Sequence, residues 1–99
     1  MKYQVFLTPQ ANKDLNNLEL KDSKKVFKAI DIIENVDINA VNNKSLGNKL
    51  YEIKIDNLRC LYGYKKGQII IIALIFVKKT QKTPKTNIEK AQSTLKEYS

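Results

Sequence analysis

The sequence predicts an α+β domain in which a mostly antiparallel four-stranded sheet, in the element order β-α-α-β-β-β-α, carries an N-terminal helical hairpin on one face. Three observations lead there. The chain opens on an alternating segment, "KYQVFLT"; two stretches with apolar residues three and four apart follow; then "LYEIKI", "LRCLYGYK" and "QIIIIALIFVKK" come in succession with only short polar turns between them.

In the opening segment Tyr3, Val5 and Leu7 alternate with Lys2, Gln4 and Phe6, the period of a strand with one firmly apolar face. Thr8 can cap a helix whose first position is Pro9, where a missing N–H costs nothing, and Ala11, Leu15 and Leu18 then share a face. Asp22 offers a second cap, after which Val26, Phe27, Ile30, Ile33 and Val36 recur at helical spacing. Residues 37–49, polar and rich in asparagine, are expected to be a loop. Asp56 and Asn57 tolerate the positive φ of a hairpin turn, and Lys66 and Gly67 turn the next hairpin. The last strand is apolar on both faces, which places it inside the sheet with material packed on each side. Thr83 before Pro84, or Thr86 with Glu89 three residues on, can start a final helix whose apolar face is Ile88, Ala91, Leu95 and Tyr98. With no repeat and no linker, residues 1–99 are expected to form one domain.

A chain of this length can bury roughly two thirds of the surface that it exposes when unfolded, so neither a disulfide nor a structural metal is required. One cysteine and no histidine exclude disulfide frameworks, the usual zinc sites and the commonest general base at neutral pH. A lone Cys60 suits a reducing cytosol, and no segment reads as a leader or a membrane span. The expectation is a soluble, unprocessed, cytoplasmic protein with no cofactor and no membrane partner. The formal charge is +8, and all of it lies in residues 41–99, where twelve Lys and Arg face four acids. That asymmetry points to a polyanionic partner for one part of the fold, against the plainer reading of a lysine-rich, soluble surface.

A turn at Asp56 and Asn57 sets Ile55 opposite Leu58, Lys54 opposite Arg59, Ile53 opposite Cys60 and Tyr51 opposite Tyr62. One face is then Tyr51, Ile53, Ile55, Leu58, Cys60, Tyr62 and Tyr64, fit to receive the helical hairpin, with Cys60 and the tyrosines as core. The other face carries Glu52, Lys54 and Arg59. With Lys66 and Gly67 turning the second hairpin, Arg59 faces Leu74, and Phe76 and Lys78 lie farther along that face. Two like charges directly across a hairpin cost up to about 1 kcal/mol relative to a neutral pair, and a local rule broken in this way hints at function. The alternative is that both side chains splay into water beside Glu52. As a charged strand residue, Arg59 is expected to contribute little to the core.

These residues also carry a resemblance. The element order, with "KSLGNKLYEIKI", "LRCLYGY" and above all "FVKKTQKTPKTNIEKA" at residues 76–91, is similar to the RelE/ParE superfamily of toxins of type II toxin–antitoxin systems, and within it to the phage-derived, HigB-like branch. The similarity spans nearly the whole chain, although the helical hairpin matches only as a pattern. The resemblance implies a ribosome-dependent mRNA endoribonuclease that works without a metal, inhibits translation and is neutralised by a cognate antitoxin. Residue by residue, it implies that Arg59 stabilises the scissile phosphate and that Lys54 is a basic residue of the site. It sets Lys79, with Lys78 as its rival, where the last strand ends in a site cation, and leaves Lys78, Lys82 and Lys85 to bind RNA. Glu52 stands where RelE-type enzymes place a second lysine, and no Tyr or His follows Lys79 to serve as acid or base.

Cleavage of this kind uses the adjacent 2′-OH as nucleophile and needs a base, cations for the charge gathering on the phosphate oxygens and a proton for the leaving 5′ oxygen. Arginine suits the second task through its permanent charge and planar fork; a lysine or Glu52 is left for the first. The implied partners are the ribosomal A site with its mRNA and an antitoxin, of helix-turn-helix, HigA-like type, through which alone operator DNA would be reached. The antitoxin could fill the site or block access to the ribosome. The other reading is binding without cleavage: a ParE-like gyrase inhibitor, or a degenerate toxin that binds only antitoxin and operator.

Overall fold

The sheet has five strands, one more than predicted: β1 (Gln4–Leu7), β2 (Asn43–Gly47), β3 (Leu50–Ile55), β4 (Leu58–Lys65) and β5 (Ile69–Val77), in the spatial order β1-β5-β4-β3-β2. The computed structural model describes residues 2–79 and 82–98. The additional strand, β2, lies in the asparagine-rich stretch expected to be a loop. Its polar residues give no apolar alternation of their own, and it forms because β3 offers it an open edge, with Lys44 opposite Glu52 and Ser45 opposite Tyr51. The sheet is not antiparallel throughout. β1 pairs in parallel with β5, Val5 opposite Ile70, which makes the isoleucine-rich β5 an interior strand as its two apolar faces require.

The β3–β4 hairpin has the predicted register, including Lys54 opposite Arg59, and Asp56 takes the positive φ (51°) of its turn. The next hairpin differs. Its loop holds three residues, 66–68, with Gly67 and Gln68 at positive φ, and a bulge leaves Ala73 unpaired between Ile72 and Leu74. Each extra residue moves the pairing by one, so Arg59 faces Phe76 rather than Leu74.

Helix α1 (Pro9–Asn16) starts as predicted, with the Thr8 hydroxyl accepting from the Ala11 N–H at 3.1 Å. Where β1 ends, α1 takes over the exposed edge of β5. The Thr8 hydroxyl donates to the Ala73 carbonyl at 3.2 Å and Asp14 accepts the Ile75 N–H at 3.1 Å, so backbone groups that have outrun their partner strand stay paired. Helix α2 (Leu20–Asn35) begins two residues before the predicted cap: Glu19 holds the cap position without a side-chain bond and Asp22 lies in the first turn, where its charge favours the helix dipole. Its buried stripe is Val26, Ala29 and Ile33, while Phe27 and Val36, expected inside, are exposed. Both helices pack on the face of Ile53, Leu58, Cys60 and Tyr62. Helix α3 (Lys85–Lys96) covers part of the opposite face with Ile88, Ala91 and Leu95, above Leu50, Leu61 and Leu74. No described helix is long and apolar enough to cross a membrane.

A cationic cleft over a buried carboxylate

The α3 face of the sheet grades from apolar to charged. Leu50, Leu61, Leu74 and Phe76 lie in the α3 cluster. One step farther along their strands come Glu52 and Arg59, then Lys54 and Lys78 by the alternation of strands. Beyond the reach of α3 a cleft of about 470 Å³ opens, lined by Lys54, Lys78, Arg59 and Glu52, and by Asn42, Asn43 and Lys44 from β2 and the chain just before it. Four cations and one acid therefore border one concave surface. A second groove of about the same volume, under the C-terminal part of α3, is lined by Leu50, Ile71 and Leu95 together with two lysines, Lys49 and Lys96, against the four cations of the cleft.

Among the described residues the buried charged ones are Glu52 and Arg59, at 2% and 7% exposure; of the Lys54–Arg59 pair that could have splayed into water, only Lys54 is exposed. A charge is buried only when paired, and Glu52 and Arg59 both are. One Glu52 oxygen, Oε1, accepts a hydrogen bond from the Thr83 hydroxyl and lies 3.9 Å from Arg59 Nε; the other, Oε2, lies 3.7 Å from Lys44 Nζ. Arg59 Nη1 donates to the carbonyls of Asp56 at 2.8 Å and Leu58 at 2.9 Å, so the guanidinium clamps its own hairpin turn. The turn is gripped from outside as well. Lys25 of α2 reaches the Asp56 carboxylate at 2.8 Å, and that hydrogen bond holds the carboxyl below the usual range. Burial pushes the Cys60 thiol, on the opposite face, up to about 12, which leaves it an inert core side chain.

The cleft thus brings together Lys54, Arg59, Glu52 and Lys78 of the residues expected from sequence. Lys79, one position on, has the opposite strand parity and is exposed outside it. Lys82 is exposed just before α3 and Lys85 is its exposed first residue, and neither borders the cleft. Four participants were missed. Asn42, Asn43 and Lys44 belong to a stretch expected to be loop. Thr83, weighed only as a helix cap, turns its hydroxyl to Glu52 while Pro84 occupies the cap position without a side-chain bond. The first turn of α3 carries no acid, and its positive end stands beside the same cations.

A small basic α+β chain with helices on both faces of such a sheet has the architecture of the RelE toxins. An Escherichia coli RelE toxin, a double-arginine mutant in its free state, superimposes with a TM-score of 0.65 over 98% of each chain at 19% identity. The RelBE2 toxin–antitoxin complex of Mycobacterium tuberculosis gives 0.66 at 18% identity over 79% of this chain and 100% of that one, and the archaeal RelE–RelB complex of Pyrococcus horikoshii gives 0.64 at 21% over 80% and 98%. No curated protein matches by sequence. Residues 13–96 match the family described as phage-derived protein Gp49-like, and the chain belongs to that family. The resemblance to the RelE/ParE superfamily and its phage-derived branch is thereby borne out in fold and family.

Proposed function

We propose that the protein is the toxin of a type II toxin–antitoxin pair: a metal-independent endoribonuclease that cuts mRNA on the ribosome and is neutralised by a cognate antitoxin. The observation that carries this reading is the convergence of Lys44, Lys54, Lys78 and Arg59 on one cleft, in a Gp49-like chain with the fold of RelE toxins. A phosphodiester seated there meets cations from three directions, from β2, from the β3–β4 hairpin and from the end of β5. The 2′-OH attacks the neighbouring phosphorus and gives up its proton. Charge gathers on the phosphate oxygens, the P–O5′ bond breaks, and the 5′ oxygen takes up a proton, leaving a 2′,3′-cyclic phosphate and a 5′-OH. Arg59 supplies fixed positive charge at the cleft floor, and Lys54 and Lys78, at its open mouth, approach the phosphate. Lys79, Lys82 and Lys85 extend the cationic surface along the RNA. The A site supplies the orientation of the 2′-OH that so small a site lacks.

The M. tuberculosis and P. horikoshii structures are toxin–antitoxin complexes, and a partner of that kind fits a cationic cleft: an acidic segment would set carboxylates against Lys54 and Lys78. A helix-turn-helix, HigA-like antitoxin would also carry the complex to operator DNA. The test is a toeprint on programmed ribosomes with purified protein in EDTA. New 3′ ends within the A-site codon, lost with Lys54→Ala plus Lys78→Ala, support the reading; intact mRNA under the parent protein overturns it.

One observation favours the reading of binding without cleavage. Arg59 Nη1 is held by two backbone carbonyls and the side chain is 9% exposed, so the arginine is less available to a substrate than an enzyme of this kind requires. Growth arrest with uncut mRNA and loss of DNA supercoiling would select a ParE-like gyrase inhibitor; no arrest at all would select a degenerate toxin.

A further inference from the structure

Glu52 does not belong, by charge, in a cleft built to take a phosphate. It faces Lys44 Nζ at 3.7 Å and Arg59 Nε at 3.9 Å, accepts the Thr83 hydroxyl and is 2% exposed. An ammonium, a guanidinium N–H and a hydroxyl are the donors that a phosphate would otherwise recruit. The carboxylate already takes the hydroxyl and stands within ion-pair distance of the other two. A general base must come within hydrogen-bond reach of the proton that it takes, and these oxygens are covered by the groups they hold. What Glu52 does reach is three separate pieces of chain: β2 through Lys44, β4 through Arg59, and the residue before Pro84 and α3 through Thr83. Arg59 Nε has no hydrogen-bond partner, so the facing carboxylate is what balances its charge on that side.

We infer that Glu52 is a positioning residue and Thr83 its latch: the buried carboxylate pins Thr83, and with it the N-terminal end of α3, against the sheet while keeping Lys44 and Arg59 aimed along the cleft. This rests on the ribonuclease reading for its kinetic consequence, although the latch itself does not. The cap position of α3 itself is held by Pro84, which has no side-chain acceptor, so the bond from Thr83 to Glu52 is the side-chain tie at this end of the helix.

The test compares Thr83→Val, which keeps shape and removes the hydroxyl, Thr83→Ser, which keeps the hydroxyl, Glu52→Gln, and the double variant Thr83→Val/Glu52→Gln. The first readout is amide hydrogen exchange at Asn87 and Ile88, the first α3 amides to be hydrogen-bonded, both to the Pro84 carbonyl, normalised to urea stability. The second is binding of a 2′-O-methyl oligoribonucleotide, which cannot be cut, and the third is kcat and KM in the ribosome assay. Losing a hydrogen bond to a charged acceptor should speed exchange at these amides about tenfold or more in Thr83→Val, with weaker oligonucleotide binding, parent-like behaviour in Thr83→Ser and no further effect in the double variant. Exchange at the parent rate in Thr83→Val, or independent addition of the two substitutions, overturns the latch. Glu52→Gln that abolishes kcat while Thr83→Val leaves both constants unchanged overturns it in favour of Glu52 as the base. The exchange and binding measurements decide the latch even for a parent protein that cuts no RNA, so its failure and that of the ribonuclease reading are told apart.

Discussion

Replacing Arg59 with alanine should destabilise the protein strongly, against the expectation that a charged strand residue contributes little to the core. Arg59 is 7% exposed, its Nη1 makes two hydrogen bonds to backbone carbonyls, and its Nε faces a carboxylate that is itself 2% exposed. Removing one partner of a buried ion pair costs about 3–5 kcal/mol, most of it from the charge left behind. Glu52 would keep Lys44 and Thr83, so the cost belongs near the lower end, about 3 kcal/mol. In a domain of this size 1 kcal/mol moves Tm by about 4–8 °C, so a fall of at least about 12 °C is expected. Urea unfolding followed by far-UV circular dichroism measures the loss directly. Lys54→Ala, at an exposed position directly across the hairpin, serves as control and should stay within about 0.5 kcal/mol of the parent. An Arg59→Ala protein within about 1 kcal/mol of the parent would refute the clamp described here. The outcome decides how a non-toxic Arg59→Ala strain is interpreted, because loss of toxicity would then report loss of the folded protein as much as loss of chemistry.

Three further outcomes are expected. Lys78→Ala should weaken binding of a single-stranded oligoribonucleotide and lower its salt slope by roughly 0.7 if that lysine neutralises one phosphate, whereas Lys79→Ala, outside the cleft, should do less in the same titration; equal effects would move the site. Cys60 should resist iodoacetamide at pH 8 in the folded protein and react when unfolded. Its folded state holds the thiol proton up to about 12 against an ordinary 9.0, so its stabilising contribution is complete below pH 9 and is lost as pH rises from there towards 12, a fall that Cys60→Ala should reduce in urea titrations at alkaline pH. Asp56 should titrate below the usual carboxylate range by NMR and return towards it in Lys25→Met, and its contribution, present at neutral pH, should be lost as pH falls through its folded value.

The β3–β4 register was legible because a two-residue turn fixes every pair after it, and the alternation of Ile53, Ile55, Leu58 and Cys60 agrees with that turn. The face that receives α1 and α2 followed from the same pattern. β2 was not legible, since an edge strand of Asn, Lys and Ser owes its pairing to β3 and not to its own residues. The parallel seat of β1 was equally hidden: the pattern of "KYQVFLT" marks a strand but not its neighbour. In the cleft, Lys54, Arg59 and Lys78 were accessible from parity. The burial of Glu52 was not, because a carboxylate goes inside only when partners from distant segments meet it, and two of them, Lys44 and Thr83, came from stretches with no strand signal.

The bulge at Ala73 bears on how the chain finds its frame. Ile69, Ile70, Ile71 and Ile72 are the same side chain on both faces of β5, so a slip by one residue exchanges like for like, and hydrophobicity contributes almost nothing to choosing between frames. The phase must be set from outside the run. Thr8 holds the Ala73 carbonyl, Asp14 the Ile75 N–H, and the Asn57 carbonyl takes the Lys78 N–H at 2.7 Å. Helix α1 and the β3–β4 turn therefore act as the two end stops of a strand that is otherwise free to slide. Since Lys78 and Lys79 are identical neighbours, a chain that settled with Lys79 in the place of Lys78 would still deliver an ammonium to the cleft, whereas a slip the other way would put Val77 there. That redundancy gives the cationic mouth a tolerance to a single-residue deletion in β5 that the buried carboxylate, fixed by three separate partners, does not share.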